Sequence, residues 1–286
     1  MPERRSFPRR VKAASPVALP VGPVPIATGT AEVVRGRDSS TAVTLLVNGV
    51  PSSHLDLADP TLLDFEYMQV MAAAVDLLGP GPLEAVHLGA AGCALPRWLD
   101  AVRPGSRQLA VDVDPVLLTL VREWFDLPRA PRLRLRAQDA GEALASLRDA
   151  ETDLVIRDVF AGDATPARLT TDTFVRHAAR VLRPGGLYLA NCADRPPLAV
   201  ARAEVATARR VFADVALAAE PAQLKGRRYG NLVLLATGPD GPDLGGAGLA
   251  RALRSLAVPV RLLHGSDLHT FVGSAAPIVD DGEPAV

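Results

Sequence analysis

From about residue 84 onward the chain alternates short apolar runs with stretches in which apolar residues recur every three or four positions. Ala85-Val-His-Leu, Gln108-Leu-Ala-Val, Leu133-Arg-Leu-Arg-Ala, Asp153-Leu-Val-Ile and Leu187-Tyr-Leu-Ala have the length and composition of strands. Between them, residues 95–102, 115–125, 141–147 and 172–182 carry helical spacing. Such a strand–helix series closes through right-handed crossovers into a mostly parallel, doubly wound sheet, and ligands are expected at the carboxyl ends of its strands. Arg183-Pro-Gly-Gly reads as a turn that ends a helix and starts a strand. A helix over 197–211 and strands over 215–218 and 231–236 then complete the sheet. Upstream, Phe65, Met68, Met71, Ala72 and Val75 predict a helix over 64–78, with Asp59-Pro60-Thr61 as its start signal.

The flanks divide the rest. Residues 1–25 gather Arg4, Arg5, Arg9, Arg10 and Lys12, then Pro16, Pro20, Pro23 and Pro25, without apolar periodicity, which predicts a disordered basic, Pro-rich tail. Residues 26–60 read as a small β unit, with Glu32-Val-Val-Arg and Thr41-Ala-Val-Thr-Leu-Leu-Val flanking the polar turn Arg35-Gly-Arg-Asp-Ser-Ser. Residues 61–237 form the expected Rossmann-like nucleoside-binding domain. Residues 238–286 read as a loop, a short helix and a polar, weakly structured C-terminal extension.

Composition narrows the partners. Apolar residues make up 48% and charged residues 22%, enough to build one sizeable core. With 31 Lys and Arg against 32 Asp and Glu, no overall field attracts nucleic acid or an anionic membrane, so neither is expected as a partner. Cys93 and Cys192 are the two cysteines, far apart and without metal-ligand neighbours, so neither a disulfide nor a metal is expected. No run approaches the ~18–20 apolar residues of a membrane span, and Met1-Pro-Glu-Arg-Arg lacks an apolar signal core, so the expected location is cytoplasmic.

Candidate chemistry falls at the predicted strand ends. Leu88-Gly89-Ala90-Ala91-Gly92-Cys93 joins strand to helix with small residues that let a ligand approach the backbone, although a tight packing turn has the same composition. Asp112 ends the next strand, where a carboxylate can accept both hydrogen bonds of a ribose 2′,3′-diol. Asp114-Pro115 reads as a helix cap. Gln138-Asp139-Ala140 ends the third strand, where an acid or amide can take a purine's exocyclic amine while a small neighbour admits the ring; a helix cap is the alternative. Asp158 ends the fourth strand, beside the reactive end of a nucleoside bound there. His87 lies inside an apolar strand and reads as a core histidine, and Arg157 reads as a partner for a carboxylate.

Taken in order, Gly89-Ala-Ala-Gly-Cys, Val111-Asp-Val-Asp-Pro, Gln138-Asp-Ala, Asp153-Leu-Val-Ile-Arg-Asp158 and Leu182-Arg-Pro-Gly-Gly resemble the spermidine synthase-like, or polyamine aminopropyltransferase-like, family. The resemblance covers about residues 41–237 and includes an upstream Val47-Asn-Gly-Val50 strand and Phe65-Glu-Tyr67. It implies a methyltransferase-type Rossmann fold that binds S-adenosylmethionine or its decarboxylated form as co-substrate. It places the nucleoside on Gly89, Ala90, Ala91, Asp112, Gln138, Asp139 and Ala140, makes Asp158 the catalytic proton acceptor, and lines the acceptor channel with Tyr67, Gly92, Phe160, Asp163 and Tyr229. Where the family's Gly-rich loop carries an amine-gripping Asp, this chain has Gly92. Asp158-Val-Phe-Ala-Gly-Asp163 replaces Asp-Ser-Ser-Asp-Pro, and Lys225-Gly-Arg-Arg-Tyr-Gly makes the last loop basic. The expected acceptor is a small amine or another small molecule, with a second copy of the chain as a candidate partner. Aminopropyl transfer leads; methyl transfer to a small molecule and a catalytically inactive nucleoside-binding homologue are the alternatives.

Overall fold

The computed structural model describes residues 19–37, 39–162 and 164–280. At the N-terminal end, β1 (Val24–Ile26), β2 (Gly29–Arg35), β3 (Ala42–Val47) and β4 (Val50–Asp56) form an antiparallel sheet in sequential order. Alternate residues of one face, Ala31, Val33, Val43, Leu45 and Leu55, are buried in the main core, as a half-buried sheet requires. Two expectations change here. Val24 and Pro25, placed in the tail, pair with Ala31 and Thr30, because Ile26 gains burial by continuing the sheet. Val47-Asn-Gly-Val50 is a tight turn, with Asn48 and Gly49 at φ 53° and 79°, the geometry of a two-residue hairpin. The tail expected over residues 1–18 lies outside the described residues.

Helix α1 (Glu66–Val75) follows, continued by a single 3-10 turn. Asp59 does not start it; its carboxylate accepts the Thr61 N–H and Oγ1–H at 2.9 and 2.6 Å, closing a local turn well before the helix. The main unit then runs β5 (Glu84–Leu88), α2 (Ala94–Val102), β6 (Arg107–Asp112), α3 (Pro115–Trp124), β7 (Leu133–Ala137), α4 (Ala140–Ser146), β8 (Thr152–Arg157), α5 (Asp172–Val181), β9 (Leu182–Asp194), α6 (Ala199–Ala208), β10 (Asp214–Ala219), α7 (Pro221–Leu224), β11 (Gly230–Thr237), α8 (Ala247–Arg254), β12 (Arg261–Leu263) and α9 (Gly265–Val272). Arg183-Pro-Gly-Gly sits inside the start of β9, where the β8–β9 register shifts, so it forms an irregular strand opening rather than a separate turn.

Among the described residues the strands form an eight-stranded sheet in the order β12-β10-β11-β9-β8-β5-β6-β7. Strands β7, β6, β5, β8 and β9 are parallel, whereas β11, β10 and β12 join antiparallel. This is an α/β, Rossmann-like, doubly wound and mostly parallel sheet with an antiparallel N-terminal sheet. From β5 the chain moves outward through β6 and β7, then returns to place β8 on β5's other side. The carboxyl ends of β5 and β8 therefore flank the switch point where such sheets hold ligands.

Two apolar clusters cover the sheet. One joins the N-terminal sheet, α1, α2, α3 and α8; the other joins α4, α5, α6 and α9. The weakly structured C-terminal end expected from sequence is overturned: β12 pairs Leu217 with Leu263, and Leu268, Phe271 and Val272 of α9 are buried. A three-residue strand carries no periodicity of its own and is stabilised by the sheet edge it joins.

Candidate active site

The Gly89 turn is shaped by close backbone approach. Gly89 has φ 91°, donates its N–H to Val111 O at 2.9 Å, and would place an added Cβ 2.0 Å from Asp158 O. Only glycine fits between the ends of β5 and β8. Asp112, at the end of β6, turns toward the same loop: its Oδ2 accepts the Ala90 and Ala91 N–H groups at 3.2 and 3.1 Å, and its Oδ1 accepts Asp114 N–H at 3.0 Å. The carboxylate is thus oriented by backbone and keeps spare lone pairs on a half-buried edge. Next to it, Val113 is 61% exposed, an apolar side chain left open beside the carboxylate.

Asp114 caps α3 by accepting Leu117 N–H at 2.8 Å, as expected. It also accepts the Thr28 N–H and Oγ1–H at 2.7 and 2.9 Å, which fastens the N-terminal sheet to the Gly89 side of the site. Burial pushes the Asp114 carboxyl up, but these donors prevail and hold it below its ordinary value. Across β7, Asp139 caps α4 through Gly141 and Glu142 N–H groups at 2.9 and 3.2 Å and pairs with Arg168. Burial opposes, yet the Arg168 contact and the amides lower its pKa. Gln138 is fixed by its N–H to Asp112 O at 3.0 Å, and Ala140 is buried behind it.

Asp158 follows β8, with its N–H bonded to Leu88 O at 2.8 Å. Tyr67 Oη donates to its Oδ2 at 2.9 Å from α1, and Asn191 Nδ2 donates to its Oδ1 at 2.9 Å from β9. Burial raises the Asp158 pKa; the Asn191 and Tyr67 hydrogen bonds and the Arg157 charge pull against it without cancelling it. The Tyr67 hydroxyl is itself pushed up by burial and by the adjacent carboxylate, so it remains a donor. Asn191 is 1% exposed and was missed by sequence reasoning, since an amide inside an apolar strand carries no motif; it lies one residue beyond Ala190, the partner of Arg157 on β8.

Behind this group Arg157 is fully buried and ion-paired to Glu204 of α6 at 2.6 Å, while also donating to Leu169 O and Asn191 O at 3.0 Å each. The carboxylate pairing expected for it is present. His87 is a core residue, with Nε2 2.9 Å from Gln108 Oε1, and burial lowers its pKa to about 4.

Gly92 departs from expectation. It is buried, donates its N–H to Ser53 Oγ at 2.9 Å, and would place a Cβ 2.7 Å from Ser53 Cβ and 3.1 Å from Leu55 Cδ1. Strand β4 covers this position, so Gly92 does not line an open channel. Phe160 and Tyr229 are exposed, the latter under the Arg195 guanidinium at 5.8 Å. Asp163 lies outside the described residues. A narrow cleft reaches Tyr67 between Glu66 and Val70 on one side and Glu220, Asn231 and Val260 on the other. Among the described residues no group of three or more His, Cys, Asp or Glu is placed to hold a metal, and no helix is long and apolar enough to cross a membrane.

No family model matches the chain. A probable spermidine synthase from Corynebacterium glutamicum aligns structurally over 93% of this chain and 99% of its own, with a TM-score of 0.86 and 35% identity. Polyamine aminopropyltransferase from Neisseria meningitidis is 25% identical over 168 residues, 58% of this chain and 64% of the relative. The chain thus spans less than two thirds of the length of the curated relatives it first matches. Human methyltransferase-like protein 13, solved with SAH, shares the fold at TM-score 0.56 and 20% identity, over 77% of this chain and 97% of that one. With a solved relative at 35% identity along almost its whole length, this chain belongs to the spermidine synthase-like family.

Proposed function

We propose that the chain is a transferase that binds S-adenosylmethionine or its decarboxylated form and passes an aminopropyl group to an amine. The observation that carries this reading is the Asp158 carboxylate, with both oxygens held by Tyr67 and Asn191 beside the Gly89 turn. The donor supplies an electrophilic carbon next to a sulfonium. For it, Asp112 offers spare lone pairs to a ribose diol, Val113 an apolar wall, and Gln138, Asp139 and Ala140 a polar end for the purine. Among the relatives, a spermidine synthase has been solved with the transition-state analogue AdoDATO, which supports a donor of this kind. Asp158 accepts the proton that the attacking amine loses, while Tyr67 and Asn191 hold its carboxylate in place.

Calorimetry tests the site. Asp112→Ala is expected to weaken methylthioadenosine binding by about 1.5–3 kcal/mol, the range for hydrogen bonds to a charged group, without changing the helical spectrum. Unchanged binding would remove Asp112 from the pocket. Asp158→Asn should retain that binding and lower thioether release by about 10²–10⁴-fold, the usual reach of a general base.

Methyl transfer is the second reading. It is favoured by the burial of Gly92 beneath Ser53, which leaves no room there for a carboxylate to grip a cationic acceptor. Mass analysis of the product formed with each donor separates the two readings.

A further inference from the structure

Directly behind Asp158 lies a buried charge that the proton transfer does not use. Arg157 ends β8 immediately before Asp158, and successive residues of extended chain point to opposite faces, so Arg157 reaches Glu204 of α6 while Asp158 reaches Tyr67 of α1. The guanidinium is a fork with fixed partners. Nη1 donates to Leu169 O and Nη2 to Asn191 O, at 3.0 Å each, with Glu204 Oε2 2.6 Å from Nη2. Cys192 Sγ closes the group by donating to Glu204 Oε2 at 3.4 Å. Asn191 is thus held at two points: its carbonyl accepts from Arg157, and its Nδ2 donates to Asp158 Oδ1 at 2.9 Å. The guanidinium therefore fixes the peptide from which that amide reaches the carboxylate.

As a stabilising bridge the pair is incomplete. Arg157 Nε and Glu204 Oε1 are buried with no hydrogen-bond partner among the described residues, and a buried ion pair with unsatisfied ends adds little over apolar residues of similar volume. We propose that Arg157 is a positioning residue for Asp158, acting through the Asn191 peptide, and that Glu204 is the buried counter-charge that holds the guanidinium in that place. The effect on turnover rests on the transferase reading above; the effect on the Asp158 carboxyl belongs to the free protein. Asp158 faces the Tyr67 hydroxyl from α1, the Asn191 amide from β9 and the Arg157 charge from β8. Behind Arg157 stand Glu204 of α6 and Tyr188 and Cys192 of β9. Burial pushes Tyr188, Cys192 and Glu204 up, with the Arg157 charge pulling against it in each, and the tyrosine and the thiol stay neutral. Without Arg157 the Asp158 carboxylate loses a favourable charge; without Glu204 it meets an uncompensated guanidinium.

Two readouts test this: carbon-detected NMR titration of the Asp158 carboxyl, identified by its loss in Asp158→Asn, and kcat and KM for thioether release. Glu204→Gln is expected to lower the pH at which Asp158 titrates and Arg157→Met to raise it, each by about 0.5–1 pH, less than the ~1–3 of a direct carboxylate–guanidinium contact. A pair that only braced the fold would not move the two variants in opposite directions. Arg157→Met with Glu204→Leu replaces the ion pair by apolar side chains and keeps the test in a stable chain. Its Asp158 should still titrate above the parent's, and its kcat should fall about 10–100-fold with KM and methylthioadenosine binding retained. Arg157→Lys keeps the charge without the fork, so it should keep the parent's titration and lose kcat. Parental kcat and titration in the double variant, shifts of the same sign in Glu204→Gln and Arg157→Met, or full kcat in Arg157→Lys would each overturn the proposal. Absence of thioether release by the parent with every amine would overturn the transferase reading alone, and the titrations would still decide the role of Arg157.

Discussion

At Asp158, burial and hydrogen bonding act in opposite directions on one carboxyl. Burial favours the protonated form and prevails, while Asn191, Tyr67 and the nearby Arg157 charge favour the carboxylate. A proton acceptor must be ionised, so activity is expected to fall as pH drops through this raised pKa, at a higher pH than for an ordinary Asp. Tyr67→Phe removes a donor that favours the charged form and should move the acid limb of the pH–rate profile further up; an unmoved or lowered limb would contradict the assignment. Gly92 shows a different control. Its backbone is unstrained, but a side chain there meets Ser53 and Leu55, so Gly92→Asp is expected to cost about 1–3 kcal/mol or more in denaturant unfolding through overpacking and a buried charge, rather than to create an amine site. The Asp114 cap and the acids at strand ends were legible from position alone. The Asn191 contact was not, because it depends on the lateral neighbour of β8.

Among the elements, a fully buried ion pair ties β8 to α6, and the same guanidinium holds β9. Arg157 and Glu204 are both buried, and Arg157 also ties Leu169 and Asn191 to its strand. Glu204→Leu alone would leave a buried guanidinium without its counter-charge and should destabilise by about 3–5 kcal/mol, while adding Arg157→Met should recover much of that loss. Equilibrium urea unfolding of Glu204→Leu, Arg157→Met and the double variant checks this; a double cost equal to the sum of the two single costs would mean that the pair is not coupled. The alternation of strands and helices over 84–237 was readable because each element carries its own apolar period. The Asn48-Gly49 turn is also written in the chain as a two-residue hairpin signal, although the apolar residues on either side of it read as one strand. The start of α1 was not readable, since Asp59 satisfies a local turn instead of a helix.

For the molecule as a whole, the C-terminal segment belongs to the core. Ending the chain before Val260 would strip Val260, Leu263, Leu268, Phe271 and Val272 from the two apolar clusters. Burial of a large apolar side chain contributes roughly 1.5–3 kcal/mol, and whole domains are stable by only about 5–15 kcal/mol, so this truncation should abolish cooperative thermal melting. A truncated chain with an unchanged melting temperature would show that β12 and α9 are dispensable. By itself the sequence determined the doubly wound sheet, the strand ends at which Gly89, Asp112, Asp139 and Asp158 fall, and the family, because periodicity and motif order are local properties of the chain. Tertiary structure decided what stands opposite each of them: Ser53 over Gly92, Thr28 on Asp114, Arg168 on Asp139, Asn191 and Tyr67 on Asp158, and β12 along β10. Those partners lie far away in sequence, and packing and hydrogen-bond satisfaction select them only once the sheet order is set.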